Sequence, residues 1–246
     1  MPLLDPFHRP WKTLRPWEGF HSTWASALAQ RLNHGWLPPH HFAIPTVSLG
    51  NRLEIDVANL DEERAASGDA AAASAEGSTA VAVWAPPKPT LSGPVDFTDL
   101  DLFEVRIFDE EDSPRLVAAI ELVSPANKDR ASHRRAFVVK CASYLVQGVG
   151  VLIVDAVTSR SGNLHDELLR LLEFIPDTPL ASPGDLYTAS YRTVDAGQGG
   201  RLDVWLESLV LGAALPVMPL WISAEHSVPV NLEEAYAAAR DTLLMS

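Results

Sequence analysis

"RLVAAIELVSPANK", residues 115 to 128, decides the fold. It opens as an apolar β-strand and closes on Ser-Pro-Ala-Asn-Lys. Side chains alternate along a strand. Leu116, Ala118, Ile120 and Leu122 therefore share one face, and Val117, Ala119, Glu121 and Val123 the other. Glu121 stands among small and apolar neighbours, where a carboxylate is costly unless it is paired, hydrogen-bonded or bound to a metal. Pro125 cannot donate to a strand ladder and stops the pairing. Asn127 is a turn or capping residue.

Upstream, "DLFEVRIF" (101–108) and the polar turn "DEEDSP" make a β-hairpin with this strand. Downstream, the pattern predicts a helix capped by Ser132 and running to about Gln147, where Gly148 ends it. "VGVLIVDAV" (149–157) is a nearly continuous β-branched run, the signature of a strand buried on both faces. A helix over Asn163 to Phe174 follows, then strands in "LYTASYRTV", "RLDVWLESL" and "VMPLWIS". "NLEEAYAAARDTLL" is a closing helix capped by Asn231. Near the start, Trp17, Phe20, His21, Trp24, Leu28 and Leu32 recur at helical spacing behind Pro16. "FAIPTVSL" and "RLEIDVANL" read as short strands joined at Gly50-Asn51. Residues 61 to 79 are low-complexity Ala, Ser, Gly and acid, and the Pro-rich "WAPPKPTLSGP" follows. Together 61–92 reads as a flexible insertion. Hairpins combined with one helical crossover predict an α/β fold: a mixed sheet flanked by helices, with a C-terminal β-rich extension and a closing helix. One domain is expected over 1–246, with a core at about 16–175 and the extension at about 185–246.

The chain has 246 residues and a formal net charge of -13. That balance argues against a surface built throughout for polyanions, while leaving room for a local basic cleft. Cys141 is the single cysteine, so no internal disulfide forms. No apolar run approaches the roughly 20 residues of a membrane span, and the N-terminus lacks the order of a signal peptide. A bacterial-type cytoplasm is the expected location, with no membrane partner.

The chemistry gathers around Glu121. "RLEIDVANL" repeats the pattern of an acid in an apolar strand, with Asp56 as its candidate ligand and Glu54 as the rival. Lys140 lies on a mostly apolar helix face, among Ala136, Phe137, Ser143 and Tyr144. The chain holds 15 Arg and only four Lys, so a lysine here is more apt to be kept for its amine. Two acids on neighbouring strands form a minimal site for Mg²⁺ or Mn²⁺, with Lys140 orienting or deprotonating a bound water. The bland alternative is that Glu121 makes a structural bridge with Lys140 or Arg106. After the turn come Lys128, Arg130, Arg134 and Arg135, cations that oppose the helix dipole and would accept a phosphate. Their alternative is neutralisation by acids such as Asp109, Glu110, Glu111 and Asp112. His21, on the apolar helix face, reads as a core histidine, and Asp155 as a turn residue that ends its strand.

"RLVAAIELVSPANK…RRAFVVKCASYLVQGVGVLIVD", with "WEGFHSTWASALAQRLN" and "VPVNLEEAYAAARD" near the ends, resembles an uncharacterised bacterial family, domain of unknown function 4058. The middle also resembles the Uma-two-type family, in which a "VEVLSPS" strand precedes a helix with Lys and Tyr four apart. Lys140, Tyr144, Gly148-Val149 and Asp155 follow that order here. The second resemblance implies the restriction-endonuclease-like fold of the PD-(D/E)XK nucleases. By that resemblance Asp56 and Glu121 are the metal-binding and catalytic acids. Val123 stands where the lysine of the (D/E)-X-K element belongs, and Lys140 is the displaced lysine. The implied activity is that of a metal-dependent phosphodiesterase or nuclease, its partner a nucleic acid held by the basic patch. The alternative is a non-catalytic binding or assembly protein that keeps the fold. A homo-oligomer remains open under either.

Overall fold

A computed structural model of the protein describes residues 3–5, 17–46, 87–95, 106–111, 113–176, 184, 186–195 and 200–244. All of them belong to one compact unit. The strand expectations at 47–60, with Asp56 and Glu54, and most of the insertion lie outside the described residues.

The apolar helical face at the N-terminus forms α1 (Trp17–Arg31). A short π-helical stretch (Leu32–Trp36) closes it, with Gly35 at φ 149°. Then follow β1 (His41–Ala43), β2 (Leu91–Val95), β3 (Ile107–Asp109) and β4 (Arg115–Leu122). Next come two helices, α2 (Pro125–Asp129) and α3 (Ala131–Val146), and strand β5 (Gly150–Asp155). The chain continues through α4 (Leu164–Leu171), β6 (Tyr187–Asp195), β7 (Gly200–Ser208), β8 (Val217–Trp221) and β9 (Ser227–Asn231) to α5 (Leu232–Leu244).

Seven strands form one mixed sheet in the order β1-β3-β4-β5-β6-β7-β2. β4 and β5 run parallel, linked through α2 and α3, and the other neighbouring pairs are antiparallel. The α/β class and the mixed sheet flanked by helices are as expected, but β6 and β7, expected in a C-terminal extension, lie inside the main sheet beside β5. β8 and β9 form a separate antiparallel pair.

From Ala118 onward the alternation along β4 divides the core in two, but beside the register shift at Ile107/Phe108 Val117 packs on the side of Ala118 and Leu116 on the other, the reverse of the expected faces. Ala118 and Leu122 join Leu152 and Val154 on one side, under α1, α5 and the β8–β9 pair. Ala119 and Val123 join Val151 and Ile153 on the other, under α3 and α4. On the first side Phe20 and Trp24 meet the Tyr236 ring edge-on, and Arg31 pairs with Glu234 at 2.9 Å. β5 is buried along its whole length, as its β-branched run requires. Gly150 opens it because a Cβ there would run into the Trp221 carbonyl.

Three local expectations need correction. Ser132 lies inside α3, which begins at Ala131. The extended backbone of Arg130 separates α2 from α3, so that residue occupies the cap position without a side-chain bond. Part of the expected flexible insertion is ordered, because Leu91–Val95 forms an outer strand of the sheet paired with β7. Pro94 is tolerated there because an outer strand needs no second set of N–H donors. Ser92 fastens it, hydrogen-bonding to Asp203, which Arg192 and Arg201 also bind. Finally, β9 was not anticipated, since Pro229 interrupts its alternation. The pair β8–β9 accepts Pro219 opposite Pro229 because each strand has a partner on one side only. The cap at Asn231 is as read: its side chain accepts from the Glu234 N–H at 3.1 Å.

Candidate functional site

The Ser-Pro-Ala-Asn-Lys segment is a built turn. The Ser124 hydroxyl accepts from the Asn127 N–H, and the Asn127 side chain accepts from the Ser124 N–H at 2.8 Å. This reciprocal capping box satisfies two otherwise orphaned donors, and Pro125 sits at a first-turn position where no N–H is needed. Lys128 then points inward. Its ammonium lies 2.8 Å from Asp155 Oδ2, and both side chains are 0% exposed. Asp155 also accepts from the Val157 N–H at 3.1 Å. The end of β5 is thereby tied to the turn that follows β4. Lys128 is corrected out of the phosphate patch, because a fully buried ammonium bound to a carboxylate cannot meet a solvent-borne anion. Asp155 is the turn residue expected at the end of its strand, through the Val157 N–H, and is in addition the buried partner of Lys128.

The remaining cations of that patch divide. Arg134 bonds Glu167 at 2.6 Å, tying α3 to the first turn of α4. A carboxylate of the chain thus relieves the dipole conflict at the start of α3, although it comes from α4 and not from the 109–112 acids. Asp109 faces Arg115 instead, at 3.5 Å. Arg130 is exposed beside Asp129, and Arg135 is exposed. A surface patch here reduces to those two arginines.

The pairing of Glu121 and Lys140 is direct. α3 returns along the face of β4 that bears Glu121, and the Lys140 ammonium donates to Glu121 Oε2 at 2.7 Å. The Phe137 ring lies 5.3 Å from the ammonium. The pair is not sealed: Lys140 is 34% and Glu121 15% exposed. Cys141, the next residue of α3, is fully buried, and burial pushes its thiol pKa up, so it is no nucleophile.

On the apolar face of α1, His21 has its pKa lowered, with burial as the largest cause and smaller opposing influences from the Leu122 backbone and Glu121. Burial, the largest influence, holds its pKa below the usual value, so the imidazole is neutral. Trp17 stacks on it at 5.1 Å with a 14° interplanar angle. Burial and stacking agree with the core histidine that helical periodicity indicates.

No family model, curated protein or solved structure matches the chain.

The chemistry must therefore be judged from the donors. Among the described residues no three His, Cys, Asp or Glu side chains gather as a metal-holding group. The pair itself offers one carboxylate, with an ammonium bound to it. That set fits a loosely held divalent ion that keeps most of its waters and uses one protein carboxylate. Any such cation competes with Lys140 for Glu121. A second polar cluster, His165 with Tyr187 and Tyr191, lies wholly inside the core under α4. Among the described residues no helix is long and apolar enough to cross a membrane.

Proposed function

We propose that the protein is a divalent-metal-dependent phosphodiesterase of nuclease-like type, acting at the Glu121–Lys140 pair. The observation that carries this reading is the 2.7 Å bond by which a helix lysine meets a strand carboxylate at a position still open to solvent. A bridge needed only for packing would gain from full burial of its apolar surroundings, whereas a working pair must be reachable. When bound, Mg²⁺ or Mn²⁺ supplies Lewis acidity and lowers the pKa of a bound water. Glu121 is its carboxylate ligand. Lys140 would orient the attacking water or offset charge on the phosphate. Arg130 and Arg135 hold the backbone of a nucleic acid. Asp56, the second acid of the proposal, lies outside the described residues. The mixed sheet, with its acid-bearing strand leading through a helix into a parallel neighbour, supports the nuclease-like resemblance.

A second reading has its own observation: the Glu121 charge is already answered by Lys140, as a structural bridge requires. The protein would then be a non-catalytic binding or assembly protein in which the pair seats α3 on the sheet. Labelled single- and double-stranded DNA and RNA oligonucleotides, incubated with Mg²⁺ or Mn²⁺, decide between them. The metal-dependent reading expects cleavage, reduced by roughly 10²–10⁴-fold in both Glu121→Gln and Lys140→Ala. Cleavage that survives in both variants overturns the pair as the working site, and none by the wild type on any substrate leaves the binding reading.

A further inference from the structure

We infer that Phe137 is a positioning residue of the Glu121–Lys140 site, its ring holding the Lys140 ammonium in place independently of Glu121. This rests on the metal-dependent reading above and deepens it.

The placement follows from α3. Phe137 and Lys140 stand three apart in that helix, a spacing that makes two side chains neighbours on its surface. Long helical side chains lean back toward the N-terminus, over the residues three and four before them. Lys140 accordingly lies over the Phe137 ring, its ammonium 5.3 Å from the ring centre. A cation within about 6 Å of an aromatic ring is attracted by the negative face of its π-system. Phe137 is 4% exposed and belongs to the core under α3. Close packing fixes its ring, so the ring is the firm member of the contact. Lys140 is the mobile member, with a flexible stem and 34% of its side chain exposed.

The ammonium therefore has two anchors of different kinds. One is the 2.7 Å bond to Glu121, a carboxylate that the proposed chemistry also needs as a metal ligand. The other is the Phe137 ring, which is no ligand for a hard cation and has no second task in the site. With Phe137 in place, Lys140 stays beside β4 when Glu121 serves elsewhere. Without it, the rotamer freedom of an exposed lysine carries the charge into solvent. A positive charge held ready at the reacting group is worth more than one that must first be brought there.

The test is nuclear magnetic resonance of the full chain labelled with ¹³C-lysine, the Lys140 signals being assigned from Lys140→Arg. Protons over a ring face are moved upfield by its ring current. The Lys140 ε-methylene protons should lie upfield in the wild type, remain so in Glu121→Ala, and return to the ordinary lysine position in Phe137→Leu. A Phe137 that serves packing alone would leave them unmoved by that substitution. Ordinary positions in the wild type, or a return to them in Glu121→Ala, overturn the proposal. With Mn²⁺ and a substrate that the wild type cleaves, Phe137→Leu should lower kcat roughly two- to fivefold with KM unchanged, the equivalent of a cation–π contact at an exposed site. An unchanged kcat overturns the positioning role. Should the wild type cleave nothing, the metal-dependent reading falls by itself, and the resonance positions still decide what holds Lys140.

Discussion

Replacing Lys128 with alanine is expected to destabilise the protein by about 3–5 kcal/mol, the usual cost of stranding one partner of a buried ion pair. Lys128 and Asp155 are both fully buried at 2.8 Å, so the variant leaves a carboxylate without its counter-ion in the core. Asp155→Ala should cost a similar amount for the mirrored reason. The double variant Lys128→Met/Asp155→Leu removes both charges and keeps most of the volume. It should recover most of the loss, because two desolvation penalties disappear together. Urea denaturation of the four proteins measures this. A single-variant loss below about 1 kcal/mol, the range of an exposed bridge, would mean that the pair is not buried in solution.

Acidification should weaken the fold through His165. Its ring is 2% exposed, and its Nδ1 lies 2.7 Å from the Tyr191 hydroxyl. The Tyr187 hydroxyl accepts from its backbone N–H. Burial lowers its pKa from 6.5 to about 4. Between those values the unfolded chain binds a proton that the folded chain refuses. Stability therefore falls as the pH drops from 6.5 to 4 and levels off, for this group, below 4. The integrated loss is about 3 kcal/mol. His21, also lowered, contributes in the same direction. Comparing unfolding free energies of wild type and His165→Gln at pH 7 and pH 4.5 isolates the residue. The difference between the two proteins should shrink toward pH 4.5, and an unchanged difference would contradict a neutral buried imidazole.

How much of this was readable in the sequence depends on range. β5 announced itself through Val151, Leu152, Ile153 and Val154, since a run buried on both faces has no other composition. The meeting of Glu121 with Lys140 was readable because strand alternation fixes one side chain and the helix returns over that same face. The Ser124–Asn127 capping box was visible only in part, as a turn residue without its reciprocal partner. The role of Lys128 was misread. Beside Arg130, Arg134 and Arg135 it looked like one more surface cation, and nothing local states that β5 ends with Asp155 directly beneath it. That contact exists only because β4 and β5 are parallel, which places the end of one beside the turn leaving the other. His21 was legible as the core histidine that its burial and stacking make it. Its helical spacing is that of a core residue. Leu91–Val95 was hidden by composition, because a strand containing both Gly93 and Pro94 resembles a connector until its outer position is known.

The central claim is that Glu121 is a metal ligand and not merely the partner of Lys140. Calorimetric titration of Mn²⁺ into wild type and Glu121→Ala tests it most directly. Saturable heat in the wild type that is lost in Glu121→Ala is the expected result. Equal heats in both proteins, or none in the wild type, would contradict it.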